Sequence, residues 1–359
     1  MSDDTDTSND TDASNKTTNI PNERESGVSR RNFISGSVAG ATAAALGAQL
    51  LSQTTTAATN GLPMRPLGKT GEQVSILCLG GWHIGAAAKE TEKEAIRMMH
   101  AAIDGGMTFF DNAWDYHDGG SETVMGKALG PSHRDKVFLM TKGCDRDYDG
   151  AMRCIDDSLR RLRTDHIDLW QFHEIIYEND PDWVFEKGGI KAAVDAQKAG
   201  KIRHIGFTGH RDPRVHKLML AKPFEWATVQ MPINVMDAHF RSFQREIVPL
   251  CLERGAGVLG MKSLGGGIIP TEAGIPAADC IRYALSQPVS SLVVGLLTMD
   301  DLKKNIETAR GFSAMGSAEQ TKLLAQVQAV AGDGRFELYK TTMRMDGPYH
   351  AKQHGFEVV

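Results

Sequence analysis

Eight short β-branched runs alternate with eight helix-patterned segments between residues 76 and 310, and this alternation constrains the fold most strongly. The strand-like runs are ILCLG, TFFDNA, KVFLMTK, IDLWQFHE, IRHIGFTG, ATVQMPIN, GVLGMKSLG and SLVVGLL. Eight such units in series predict an α/β fold, a (β/α)8 TIM barrel. The competing layout is a doubly wound sheet. It normally carries G-x-G-x-x-G after its first strand, and LCLGGWHIG lacks that spacing.

A β-hairpin is predicted in front of the barrel, in the segment MRPLGKTGEQVSIL around Lys69. We expect this hairpin to plug the end of the barrel opposite the active site. The predicted organisation is a disordered polar N-terminus at 1–28, a signal peptide at 29–60, the barrel at 61–312, and a C-terminal helix and tail at 313–359.

The predicted signal peptide has the layout of a twin-arginine export signal. Arg30 and Arg31 precede Phe33 and Ile34, and no charged residue follows until Arg65. This layout predicts the twin-arginine translocase as a partner and a periplasmic or other extracytoplasmic location. The location would be cytoplasmic if the signal is not used. The Ala/Gly-rich core is less apolar than a stable membrane span, so none is expected in the mature chain.

Charge and cysteine content exclude several classes of function. The net charge is −5, which gives no electrostatic case for nucleic-acid binding. The five cysteines have no metal-ligand spacing, and we expect them to be mostly reduced, half-buried thiols rather than part of a metal site.

Polar side chains end three consecutive predicted strands. Asp111 ends the second strand, and Tyr116 lies in the loop that follows it. Lys142 ends the third strand, and His173 ends the fourth. Residues at the C-terminal ends of TIM-barrel strands face the active site. We therefore expect an acid, a phenol, an amine and an imidazole at one mouth of the barrel.

These side chains suit proton transfer between a carbonyl and an alcohol. A phenol with a pKa of about 10 is a poor acid and a poor base near neutral pH. A nearby ammonium favours the phenolate, so we expect Lys142 to lower the pKa of Tyr116. Asp111 would keep Lys142 charged, and His173 would orient a substrate oxygen. The sequence shows no G-x-S-x-G elbow or Cys–His arrangement to supply a nucleophile. A hydride from a cofactor would complete the chemistry.

Residues 64–310 resemble the aldo-keto reductase family. The matching segments are MRPLGKTG, TFFDNAWDYHDGGSE, FLMTKG, DLWQFHE, GKIRHIGFTGH, VQMPIN and VVGLLTMDDLKKN. The resemblance implies that the four residues above form a catalytic tetrad. It also implies NAD(P)H-dependent reduction of aldehyde, ketone or sugar-like carbonyls to alcohols. Hydride would then come from the nicotinamide and the proton from Tyr116.

The resemblance also implies a nicotinamide nucleotide bound by the later strands. Thr208 and Gly209 stand where the family usually has Ser-Asn, and Gln230 matches its carboxamide-binding glutamine. Met261 replaces a stacking aromatic residue, and Lys262 would approach the pyrophosphate together with glycines that allow close approach. The expected cofactor contacts are Thr208, Gly209, Gln230, Met261, Lys262, Ser263, Leu264, Gly265, Gly295 and Asn305.

The segment after the last strand bears on the choice between NADP(H) and NAD(H). Asn305 falls on the family's adenine-contacting asparagine, whereas Asp301 and Leu297 occupy positions where an arginine commonly binds the 2′-phosphate. An acid repels a phosphate, although Lys303 and Lys304 lie close by in the sequence. NADP(H) is expected because the family commonly uses it, and NAD(H) stays open as the alternative cofactor.

Trp82 matches the family's pocket tryptophan, and His83 and Trp114 are further candidate substrate contacts. The expected partner is a small carbonyl or alcohol. Two other classes stay open: a nucleotide-binding regulatory subunit on the same fold, and a metal-dependent barrel hydrolase. The hydrolase would need paired histidines near the first strand and a carboxylate at the end of a late strand. The sequence has a single histidine in GWHIG and no acid at the end of the eighth strand.

Overall fold

The computed structural model describes residues 42–55 and 61–357 of the 359-residue chain. The predicted disordered segment and the Arg30-Arg31 pair lie outside these residues. Eight parallel strands form a closed barrel in the order β10-β3-β4-β5-β6-β7-β8-β9, which confirms the predicted TIM barrel. The barrel strands are β3 (Leu77–Gly80), β4 (Phe109–Asp111), β5 (Phe138–Gly143), β6 (Ile167–Phe172), β7 (Ile202–Thr208), β8 (Thr228–Pro232), β9 (Gly257–Met261) and β10 (Ser291–Val294).

Helices surround the barrel. Residues 42–52 are helical and are labelled α1. The remaining helices are α2 (Gly81–Asp104), α3 (Gly120–His133), α4 (Tyr148–Leu162), α5 (Asp180–Glu186), α6 (Gly189–Lys198), α7 (Pro213–Leu220), α8 (Phe243–Glu246), α9 (Val248–Arg254), α10 (Ile268–Glu272), α11 (Ala277–Ser286), α12 (Met299–Arg310), α13 (Ser317–Ala331), α14 (Leu338–Thr341) and α15 (Pro348–Gln353). Among the described helices, none combines the length and the apolar character needed to cross a bilayer.

Helix α4 shows how the outer layer follows from the sequence. The carboxylate of Asp147 accepts from the amide of Gly150 at 2.8 Å and caps the first turn. Ala151, Ile155 and Leu162 recur at helical spacing and are buried against the barrel. Arg163 ends the helix in the left-handed conformation with φ 54°.

The hairpin plugs the barrel at the N-terminal ends of the strands. Its strands β1 (Met64–Pro66) and β2 (Gln73–Ser75) pair antiparallel. Leu67 and Val74 are buried in the barrel-interior cluster, together with residues such as Phe109. This closed end leaves the opposite mouth for chemistry.

The residues before the hairpin contact the barrel. Thr55 and Met64 exchange two backbone hydrogen bonds of 3.0 and 2.9 Å. The buried Arg65 guanidinium donates to the hydroxyl of Thr54 at 2.9 Å and to the carbonyls of Val289 and Leu285. Residues 42–55 fall within the segment predicted as a signal peptide, and in the structure they belong to the folded unit.

Candidate active site

The structure brings the four tetrad candidates together at the C-terminal mouth of the barrel. Lys142 Nζ donates to a carboxylate oxygen of Asp111 and to the carbonyl of Asn112, the latter at 2.6 Å. It also lies 3.4 Å from the hydroxyl of Tyr116. The rings of Tyr116 and His173 meet edge-to-face with centroids 5.4 Å apart. Asp111, Lys142 and His173 are all buried. An ion pair, a phenol and an imidazole therefore face one reaction volume.

The expectation that Lys142 lowers the pKa of Tyr116 does not hold for this geometry. Burial raises the pKa of Tyr116 well above 10, and the carboxylates of Asp111 and Asp115 add to the rise. The Asp111 carboxylate pairs with Lys142 and so cancels much of the electrostatic effect of the Lys142 ammonium on the phenol. Tyr116 is consequently a neutral phenol at physiological pH, which is the form that donates a proton. Lys142 then stabilises the phenolate that develops as the proton leaves.

Asp115 positions His173, a role that the sequence did not reveal. His173 Nδ1 lies 3.0 Å from Asp115 Oδ1 and 3.5 Å from Cys144 Sγ. A carboxylate at this distance accepts from Nδ1–H, so Nε2 carries a lone pair and the ring orientation is fixed. In the sequence Asp115 looks like a turn residue, and only the fold shows its carboxylate turned to the imidazole.

The role of Asp115 can be tested by comparing two substitutions. Asp115→Ala is expected to lower kcat by about 10- to 100-fold, because a hydrogen bond to a charged group contributes roughly 1.5–3 kcal/mol. Asp115→Asn retains an acceptor and should recover most of this loss at unchanged KM. Steady-state kinetics across pH would check both variants. Equal losses in the two variants, or full activity in Asp115→Ala, would contradict the role.

The residues expected around the nicotinamide lie at the ends of β7, β8 and β9. Thr208 and Gln230 are buried register partners on adjacent strands. Gln230 Nε2 lies 3.8 Å from the sulfur of Met261. Gln230 Oε1 is buried and has no hydrogen-bond partner among the described residues. An unpartnered buried amide oxygen at this mouth fits a ligand that brings a donor, such as a carboxamide.

Gly209 stands where the family has an asparagine, and the close packing of the backbone at this position excludes a larger residue. A Cβ at this position would lie 2.2 Å from the carbonyl oxygen of Ile175, so no larger residue fits. The neighbouring His210 is buried, with Nδ1 3.3 Å from the carbonyl of Tyr339 and Nε2 3.8 Å from Glu174. The imidazole therefore contacts the loop after β6 and the C-terminal tail.

The loop after β9 has the features of a pyrophosphate cradle. Gly265 has φ 59° and belongs to a short 3-10 turn, Gly265–Gly267, in which every residue has positive φ. Lys262 also has positive φ, at 56°, and burial lowers its pKa from 10.5 to about 8. Ser263 is buried beside it. Glycine backbone with positive φ next to a lysine ammonium suits a phosphate group.

A groove of about 360 Å³ continues from this loop towards α11 and α12. Three of the expected cofactor residues line it: Leu264, Gly295 and Asn305. Asp301 also lines the groove, but its carboxylate accepts from the amides of Leu297 and Thr298 in a capping box at the start of α12. The chain therefore has a helix cap where the family often has an arginine.

The three candidate substrate residues lie in different surroundings. Trp82 is half exposed, and its ring packs 5.2 Å from that of His117. His83 is packed against Gly295, where a Cβ would meet the imidazole at 2.4 Å. Trp114 donates to Asp157 at 3.1 Å and meets the ring of Tyr349 edge-on at 5.0 Å. Trp114 thus packs between α4 and the C-terminal tail.

The C-terminal tail crosses the active-site mouth, which the sequence did not predict. The amide of Gly347 donates to Glu174 Oε1 at 2.8 Å, and a Cβ on Gly347 would lie 3.0 Å from Asp115 Oδ2. The sulfur of Met345 lies 3.9 Å from Lys262 Nζ. The tail therefore contacts residues beside the tetrad candidates and in the loop after β9.

Comparisons with known proteins identify the family of the chain. A model of the aldo/keto reductase family matches residues 76–278, and the chain belongs to this family of oxidoreductases, which use nicotinamide cofactors. The oxidoreductase YrpG of Bacillus subtilis is 32% identical over 232 residues, which are 58% of this chain and 68% of that protein. The 6-dehydroglucose reductase of Novosphingobium aromaticivorans is 30% identical over 219 residues, 56% of this chain and 69% of that protein. The solved holo structure of aldo-keto reductase AKR11C1 from Bacillus halodurans has the same fold, with a TM-score of 0.65 at 23% identity, covering 77% of this chain and 99% of that one.

Proposed function

We propose that the protein reduces a sugar-like aldehyde or ketone to an alcohol, with hydride from NAD(P)H and the proton from Tyr116. The observation that carries this proposal is the contact of Lys142 with both Asp111 and the Tyr116 hydroxyl, at the mouth where Gln230 Oε1 is unpartnered. A bound nicotinamide would supply the hydride. The chain's own residues donate the proton from the phenol of Tyr116, and His173, whose Nε2 is an acceptor, orients the substrate through one of its hydroxyl groups.

A polar substrate is supported by the groups around the tetrad. Asp115 and Glu174 present carboxylates at the mouth. Burial opposes ionisation of Glu174, but its hydrogen bond with His210 and the nearby His173 lower its pKa from 4.5 to about 2, so this group is charged at neutral pH. Carboxylates accept hydrogen bonds from hydroxyl groups. A relative named as a 6-dehydroglucose reductase supports the same class. Turnover of oxidised hexoses should exceed that of aliphatic aldehydes of equal size. A preference for the aliphatic aldehydes would remove the sugar part of the proposal.

NADP(H) is the proposed nucleotide, and Lys304 is the side chain proposed to contact its 2′-phosphate. Lys304 lines the groove of about 360 Å³ beside α12 and is exposed, and its ammonium pairs with Asp300 at 2.7 Å. An exposed ion pair of this kind is weak and exchanges partners readily. Titration of the wild type and of Lys304→Ala with NADPH and NADH would test the assignment. Weaker binding of NADPH alone supports it, and equal effects on both nucleotides contradict it.

Nucleotide affinity should depend on pH through Lys262. Its pKa of about 8 means that the ammonium loses its charge as the pH rises past 8, although an ordinary lysine stays charged to about 10.5. The Kd for nucleotide is expected to rise above pH 8 by up to about tenfold per pH unit. Lys262→Arg keeps its charge at all these pH values, so its Kd should be flat between pH 8 and 10. A break at pH 8 that persists in Lys262→Arg would exclude Lys262 as its source. Fluorescence titration would give both profiles.

We also propose that the chain is exported through the twin-arginine translocase. The support is the Arg30-Arg31 pair followed by an uncharged tract up to Arg65. Cleavage near residue 60 would remove the Thr54 hydroxyl from Arg65, which would keep its two carbonyl acceptors. N-terminal sequencing of protein from an exported fraction tests this proposal. A mature N-terminus near residue 60 supports it, and an intact Met1 contradicts it.

A further inference from the structure

Two tail histidines and one buried carboxylate meet at the start of α5. His350 lies in α15 and His354 directly follows it, so the pair has the i, i+4 spacing of helical metal ligands. Asp180 Oδ1 lies 3.1 Å from His350 Nε2 and 3.2 Å from His354 Nε2. The three ligand atoms all lie within 4.8 Å of one another. Ligand atoms around a tetrahedral ion with bonds of about 2.0–2.1 Å lie roughly 3.3 Å apart, close to both of these separations.

His350 Nε2 has two neighbours, Arg146 and Asp180, and whichever tautomer His350 adopts, one of these two contacts is left unsatisfied. Arg146 Nη2 lies 3.2 Å from His350 Nε2, and a guanidinium only donates, so that contact needs a lone pair on Nε2. The lone pair then faces the carboxylate of Asp180, which is also an acceptor. If Nε2 instead carries a proton, Asp180 is satisfied and Arg146 faces a second donor. A cation bound to both Nε2 and the carboxylate relieves the contact between these two acceptors, and Arg146 Nη2 keeps the carbonyls of His173 and Glu174 as its acceptors.

Further groups fix the orientation of His350 as a ligand. His350 Nδ1 lies 3.0 Å from Gln353 Oε1, and the amide of Gln353 donates to Asp145. This chain places the proton on Nδ1 and leaves Nε2 free to bind a metal. Supporting hydrogen bonds of this kind orient histidine ligands in known metal sites.

The charges near the three groups permit a divalent cation. Arg146 is the nearest cation, and it is already bound to Asp180 at 3.0 Å and to the carbonyl of His173 at 2.6 Å. The described cysteines are all buried free thiols, and Cys144 forms a second group of potential metal ligands with Asp115 and His173, so substitution of His354 distinguishes the two sites.

We propose that Asp180, His350 and His354 bind one divalent transition-metal ion of the Zn²⁺ type. Two imidazole nitrogens and one carboxylate oxygen are ligands that zinc prefers, and a water would complete the tetrahedron. The ion joins α15 to α5 and so fastens the tail across the mouth that contains Tyr116. This site goes beyond the proposed reductase activity and does not depend on it.

Zinc binding to the full chain tests the proposal. Protein stripped with a chelator would be titrated with Zn²⁺ by calorimetry, without nucleotide or carbonyl substrate, so that failure of the reductase proposal cannot affect the result. The wild type should bind one Zn²⁺ per chain at micromolar or lower Kd. His354→Ala should bind at least about 30-fold more weakly, because loss of one of three ligands removes a metal bond. The metal should also raise the Tm of the wild type and not that of His354→Ala.

Lys352→Ala is the matched control. Lys352 is exposed and lies between the two histidines on the same helix. This variant should bind Zn²⁺ like the wild type. Circular dichroism of each variant would confirm folding, and His350→Gln provides a second ligand variant if His354→Ala is unfolded. Absence of stoichiometric binding in the wild type, or wild-type affinity in both histidine variants, would overturn the site.

Discussion

Tyr116→Phe is expected to lower kcat for carbonyl reduction by about 10²- to 10⁴-fold, the range contributed by a positioned general acid. The phenol is neutral at physiological pH because burial and the carboxylates of Asp111 and Asp115 raise its pKa. Its hydroxyl lies 3.4 Å from Lys142 Nζ, which stabilises the charge left behind by the proton. Removing one hydroxyl therefore removes the proton source and leaves the barrel intact.

Nucleotide affinity should be nearly unchanged in Tyr116→Phe, because the expected cofactor contacts lie on later strands. Tyr148→Phe is a suitable control, since Tyr148 lies at the start of α4 and its hydroxyl contacts Asp195 at 3.2 Å, away from the tetrad. Stopped-flow or steady-state kinetics with NAD(P)H would compare the two variants. If Tyr116→Phe retains more than about a tenth of the wild-type kcat, another group donates the proton.

Lys142→Met should destabilise the fold as well as abolish turnover. It leaves the carboxylate of Asp111, only 3% exposed, without its charged partner. Breaking a buried ion pair by removing one partner typically costs about 3–5 kcal/mol. The double variant Asp111→Asn/Lys142→Met removes both charges and should recover part of the free energy of unfolding, but no activity. Urea unfolding monitored by circular dichroism would measure all three proteins.

The pH dependence of this loss has a definite sign. Burial already raises the pKa of Asp111 above 3.8, and loss of Lys142 removes the main opposing charge. A raised folded pKa means that the folded state prefers the protonated carboxyl group. The deficit of Lys142→Met should therefore be largest near neutral pH and should shrink as the pH falls towards 3.8. A deficit below about 1 kcal/mol at pH 7 would mean that the pair is not a buried structural element.

The barrel and the meeting of the tetrad were predictable because both follow from local patterns. Strand-like runs alternate with amphipathic helices, and parallel strands in a barrel end at the same mouth. Asp111, Lys142 and His173 could therefore be placed near one another from their positions at strand ends. The hairpin plug was predictable for a similar reason, since a turn with Gly68 and Gly71 separates two short apolar runs.

The tail could not be placed from the sequence, because its contacts join residues far apart in the chain. The bond from Gly347 to Glu174 spans 173 positions, and the contact of His350 with Asp180 spans 170. No local sequence pattern predicts contacts between residues so far apart in the chain. The direction of the Tyr116 pKa shift depends on burial and on the carboxylates of Asp111 and Asp115, which only the fold places around the phenol. The sequence positions of Lys142 and Tyr116 do not show how deeply the phenol is buried.

Hydride and proton transfer at one mouth of the barrel are the centre of the proposed function, and transfer of deuterium from the nucleotide tests them most directly. The purified chain would be incubated with nucleotide carrying deuterium at the transferable C4 position and an oxidised hexose or a general aldehyde. Mass spectrometry of the alcohol should show one deuterium on the former carbonyl carbon in the wild type, and a rate lower by about 10²-fold or more in Tyr116→Phe. Failure of the wild type to oxidise either NADPH or NADH, or an alcohol without deuterium, would contradict the central claim.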